Sequence, residues 1–152
     1  MKRLLFLVLP LTIWNLSCST GEKKDPALEE AAKYHNEATE IQAVVEPQIE
    51  RIDSLKTLLT QRTEPAAKAT VASLDSLKKA FEDWEGNLVE VPGMPHKHSH
   101  DHGDHEHHHH ADATLKDLPA DQMRDLQREI LTNIKEIQKQ TEATLKRAST
   151  LL

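Results

Sequence analysis

Cysteine occurs once in this 152-residue chain, at Cys18. A single thiol rules out an internal disulfide framework, a Cys-rich zinc finger and a Cys-ligated iron-sulfur cluster, so any metal chemistry must use nitrogen and oxygen ligands. Aromatic residues make up only 3% of the chain, too few for a sandwich or barrel built on aromatic and β-branched side chains. Basic residues are in deficit, 19 Lys and Arg against 25 Asp and Glu, for a formal charge of −6. That sign argues against nucleic acid as a partner. The longest apolar run, Leu4 to Trp14, falls short of the roughly 20 residues that span a bilayer. What is plentiful is Leu, Ala, Glu and Lys, the composition of long helices.

Histidine is abundant but confined. Nine of the ten histidines lie in residues 96–110, HKHSHDHGDHEHHHH. His96, His98, His100 and His102 alternate with other residues, so an extended backbone would present them on one side at intervals of about 6.6 Å. His105, His107, His108, His109 and His110 supply further imidazoles, and Asp101 and Asp104 offer oxygens that can ligate a metal or orient a ring. This donor set fits Zn²⁺, Ni²⁺ or Cu²⁺ and offers no soft ligand for Cu⁺. With many equivalent ligand combinations and no preorganisation, several exchangeable ions of modest affinity are expected instead of one closed tetrahedral site. Protons compete for the same nitrogens, so binding should fade below about pH 6.

His105-Glu106-His107-His108-His109 matches the HExxH zinc-peptidase pattern. That motif needs a helix and a shaped cleft, neither of which the surrounding sequence suggests, so the chain is read as non-catalytic with no required cofactor. The competing reading of residues 96–110 is a biased, solvated linker whose metal affinity is incidental.

Lys2 and Arg3 precede the apolar run, which has the length of a signal-peptide core. It ends in Asn15-Leu16-Ser17-Cys18, and here the chain resembles bacterial lipoproteins, whose lipobox places a small residue before a cysteine that is acylated and becomes the new N-terminus. The resemblance implies residues 1–17 as a signal peptide, Cys18 as the lipidation site, and a cell-envelope location, periplasmic or surface-facing. Asn15 stands where an aliphatic residue is commoner, and an ordinary secretory signal cut after Ser19 is the alternative. Losing Lys2 and Arg3 takes the charge from −6 to −8. Acyl chains contribute about 0.8 kcal/mol per buried methylene, so the three implied by the resemblance would hold a domain on a membrane through the tether of residues 18–25.

From residue 26 onward the pattern is helical. Asp25-Pro26 is a cap followed by proline at the first helical position. Ala31, Ala38, Val45, Ile52 and Leu59 then recur at heptad spacing, flanked by Tyr34, Ile41 and Leu55 on one side and Leu28 and Ile49 on the other. Pro47 predicts a kink or break near Val45. His35 lies on the apolar stripe and reads as a packed residue without a ligand role. Thr63 and Pro65 open a second helix, in which Ala67, Val71, Leu74, Leu77, Phe81, Trp84, Leu88 and Val91 form the stripe and Phe81 with Trp84 the core anchor. Gly86-Asn87 ends it. Asp117 and Pro119 begin a third, whose stripe is Met123, Leu126, Ile130, Ile134, Ile137, Thr141, Leu145, Ala148 and Leu152, diluted by Thr141 and Asn133.

The expected fold is therefore all-α, an antiparallel three-helix bundle over residues 26–152 with a long disordered His-rich loop, residues 92–116, between the second and third helices. The whole is similar to small uncharacterised His-rich helical lipoproteins with a VEVPG-like turn, here Val89 to Gly93. Some of these carry the label viral A-type inclusion protein, and the likeness implies no activity. Two functional classes follow. One is a metal-binding lipoprotein acting as a buffer or collector; the other is a structural or interaction lipoprotein whose helices do the work, with an unspecified protein partner.

Overall fold

The computed structural model describes residues 25–94, 115 and 117–152. The expected signal peptide, Cys18, and the ligands His96 to His110 with Asp101 and Asp104 lie outside those residues. All the regular structure described is helical, and the helices pack together: α1 is Pro26–Glu50, α2 is Ile52–Leu59, α3 is Pro65–Gly86 and α4 is Ala120–Leu151. No helix among the described residues is long and apolar enough to cross a membrane.

Helix α1 starts as its first two residues dictate. The Asp25 carboxylate accepts from the Ala27 amide at 2.8 Å, and Pro26 occupies a position whose N–H would otherwise be unpaired. Pro47 does not interrupt the helix near Val45, contrary to expectation. The chain stays helical to Glu50, and the break comes at Arg51, where φ is −78° and ψ −9°. Ala43 and Pro47 are both exposed, so the carbonyl that loses its donor can be hydrated while Val45, Ile49 and Ile52 hold the opposite face to the core.

Two other helix starts are also displaced. The residue capping α3 is Glu64 and the one capping α4 is Pro119, neither with a side-chain bond, so Thr63 and Asp117 do not serve as caps. Each lies too far upstream. A proline holds the preceding residue in an extended conformation, which delays the first helical residue to Pro65 in one case and, where Pro119 itself is the cap, to Ala120 in the other.

Chain directions follow from side-chain pairs. Gln42 meets Glu85, and Lys78 meets Asp53 at 2.6 Å while Lys56 meets Asp75, so α3 runs opposite to α1 and α2. Lys135 pairs with Glu37 at 2.6 Å and Arg62 donates to the Leu152 carbonyl at 2.7 Å, so α4 runs alongside α1 and α2. The most extensive interface joins α1 to α4, and the next joins α3 to α4.

The heptad column Ala31, Ala38, Val45, Ile52 and Leu59 is buried throughout. Its two alanines let α4 approach closely, while Ile52, Leu59, Leu74 and Ile134 are fully enclosed, each contributing about 1.5–3 kcal/mol of transfer free energy. Phe81 and Trp84 are core residues with ring centroids 6.1 Å apart, and the Trp84 indole N–H donates to the Ile130 carbonyl at 3.0 Å. The buried face of α4 departs from the expected stripe: Gln127, Leu131 and Thr144 are inside, Leu126 and Leu145 are half-buried, and Asn133 and Leu152 are exposed. Asn133 therefore dilutes nothing.

Candidate functional site

The histidine stretch departs from a fixed root. After α3 ends at Gly86, the Asn87 side chain donates to the Asp83 carbonyl at 2.6 Å, and the chain leaves the helix axis. Residues 88–91 then run without regular structure against the core, with Val89 and Val91 buried and the Glu90 side chain 29% exposed between them. Pro92 and Gly93 form the following turn. Gly93 has φ of +78°, and the Met94 amide donates to the Val91 carbonyl at 3.2 Å, the signature of a type II turn in which glycine occupies the left-handed position. The expected loop of residues 92–116 thus begins with an ordered turn, and Met94, Leu115 and Leu118 all rest against the core.

A buried polar chain holds that root in place. The Gln127 side-chain amide donates to the Val89 carbonyl at 2.6 Å, which commits its nitrogen and leaves Oε1 as an acceptor. His35 Nδ1 lies 3.2 Å from that oxygen, so it must carry the proton. The other ring nitrogen, Nε2, faces Glu90 Oε2 at 3.7 Å. His35 is 1% exposed and Gln127 fully buried. Three separate pieces of chain, α1, the 88–91 segment and α4, are tied together here by charge-capable and amide groups.

A second contact of the same kind lies two turns along α1, where the buried Gln42 donates to Glu85 at 3.0 Å. Both polar residues belong to one heptad column, Leu28, His35, Gln42 and Ile49. Reading His35 as a packed residue agrees with its burial, but the sequence reading did not see its partners. The available signal was two polar residues in succession within a column bounded by Leu28 and Ile49.

Cys18, His96, His98, His100, His102, His105, His107, His108, His109, His110, Asp101 and Asp104 lie outside the described residues, as does the HExxH match. Among the described residues no group of three or more His, Cys, Asp or Glu side chains is placed to hold a metal ion. No family model, curated protein or solved structure matches the chain.

Proposed function

We propose that the protein is a non-catalytic, membrane-anchored lipoprotein of the bacterial cell envelope that binds Zn²⁺, Ni²⁺ or Cu²⁺ exchangeably through its histidine stretch, as a buffer or collector. In this reading Cys18 carries the lipid. The helices form an antiparallel three-helix bundle, and residues 92–116 are a His-rich loop joining its second and third members. The observation that carries the proposal is the concentration of nine of ten histidines into fifteen consecutive residues, a density of borderline nitrogen ligands that favours these ions. The root at residues 88–94 supports it, since this segment packs beside the first half of α1 through His35 and so lies toward the end where the tether joins.

Calorimetric titration of the protein and of a variant with all nine stretch histidines replaced by Ser, at about pH 7.4 and 5.5, tests the proposal. Two or more ions bound at micromolar affinity or tighter are expected, with most of that capacity lost in the variant and at the lower pH. Affinity no better than millimolar would overturn it and favour a helical interaction protein, for which the exposed Val44 and Leu58, 53% and 49% accessible on the outer face of α1 and α2, supply the first surface to alter. Replacing Cys18 by Ser should release the protein from the membrane fraction.

A further inference from the structure

Helices α1 and α2 carry a second stripe beside the one that faces the core. Ile41, Gln48 and Leu55 alternate with Val44, Arg51 and Leu58 at steps of three and four, the a and d positions of a coiled-coil seam. Glu37 precedes the run and Arg62 follows it in the same register. Ile41, Gln48 and Leu55 are half-buried, whereas Val44, Arg51 and Leu58 are exposed. Val44 and Leu58, two of the three large hydrophobic side chains exposed among the described residues, thus stand two heptads apart on one line.

The ends of the seam fix its place in the bundle. Glu37 pairs with Lys135 and Arg62 donates to the Leu152 carbonyl, so the seam runs along the α4 flank of α1 and α2. Gln42 and Asp53, which meet α3, are on the other flank. The third exposed hydrophobic residue, Leu152, adjoins the same surface, since Arg62 lies one turn beyond Leu58.

The stripe is its own complement in reverse. When such a seam meets a copy of itself running in the opposite direction, each a position faces a d position. Centred between Gln48 and Arg51, this sets Ile41 against Leu58 of the second copy, Val44 against Leu55, Gln48 against Arg51 and Glu37 against Arg62. Apolar side chains meet apolar ones, and both ends join opposite charges. A parallel pairing would set Glu37, Arg51 and Arg62 each against its own copy, three like-charge contacts. The outer flanking positions, Glu40, Pro47, Ser54 and Gln61, hold a single charge, so nothing there opposes the antiparallel register.

We propose that this face binds a second copy of the chain, giving a two-fold antiparallel dimer through a seam about 38 Å long. The pairing uses none of residues 96–110 and stands apart from the function proposed above. With four apolar residues from each copy, two of them already half-buried, a dissociation constant in the micromolar range is expected. Lipid-anchored copies would lie with these helices along the membrane, because their Asp25 ends point in opposite directions.

Sedimentation equilibrium of the full chain tests this, with chelator and reductant present so that neither the histidines nor Cys18 can bridge copies. A monomer–dimer equilibrium is expected, weakened about tenfold or more by Val44→Glu with Leu58→Glu. Both side chains are exposed, so helicity should match the wild type. Glu37→Arg and Arg62→Glu should each weaken the dimer severalfold, and the two in one chain should restore it. That rescue is specific to the antiparallel register, since within one chain the exchange sets a cation against Lys135. The proposal is overturned if the chain is monomeric at about 100 µM, if association survives Val44→Glu with Leu58→Glu, or if exchanging the end charges leaves it as weak as the single changes do.

Discussion

Thr141 is fully buried on α4, and among the described residues its hydroxyl is the only enclosed side-chain polar atom without a hydrogen-bond partner. Desolvating a hydroxyl without a replacement bond costs free energy, so Thr141→Val should stabilise the fold by about 1 kcal/mol, read as a higher denaturation midpoint at unchanged m-value. Gln127 is the opposite case. Its amide serves Val89 and His35 together, so Gln127→Leu leaves a buried carbonyl and a ring N–H unpaired and should cost about 2–4 kcal/mol by the same measurement. The sequence stripe already placed Thr141 on the buried face, but Gln127 was not legible there. An apolar count along α4 favours Leu126 over its neighbour, and what makes Gln127 a core residue is a histidine 92 positions away.

Among the elements, α1 was the most readable, because a heptad of Ala, Val, Ile and Leu leaves little choice of which face to bury. The site of its interruption was not: the stripe puts Pro47 on the face opposite Val45, but periodicity does not say that the helix continues through it and breaks at Arg51. Charged pairs flank the apolar contact between α2 and α3. Asp53 accepts from Lys78 and lies near Lys56, which also pairs with Asp75. The Lys78 hydrogen bond holds the Asp53 carboxyl below its usual value, with the Lys78 and Lys56 charges adding to it. A depressed carboxylate stabilises the folded state above its unfolded pKa and loses that contribution as pH falls through the folded value. Asp53→Asn should therefore be less stable than the wild type at pH 7, with the gap closing as the Asp53 carboxylate is protonated at acid pH and shrinking in high salt. Urea midpoints from pH 7 to 2 would show it; a gap independent of pH would mean that packing, not charge, is responsible.

At the scale of the molecule, composition was enough to anticipate an all-helical fold: few aromatics, many Leu, Ala, Glu and Lys, and one apolar stripe per segment. The stripes also marked Phe81 and Trp84 as core residues, as their burial bears out. What composition could not convey was the root of the histidine stretch, whose position depends on a carbonyl, an amide and an imidazole from three distant pieces of sequence. The central anchor has a practical consequence. Trp84 is 5% exposed and bonded to the backbone of α4, and the only other tryptophan is Trp14 in the N-terminal apolar run. In a variant lacking residues 1–17, Trp84 is the single tryptophan, placed at the junction of α3 and α4. Its emission should be blue-shifted while those helices are docked and move to the red as they part.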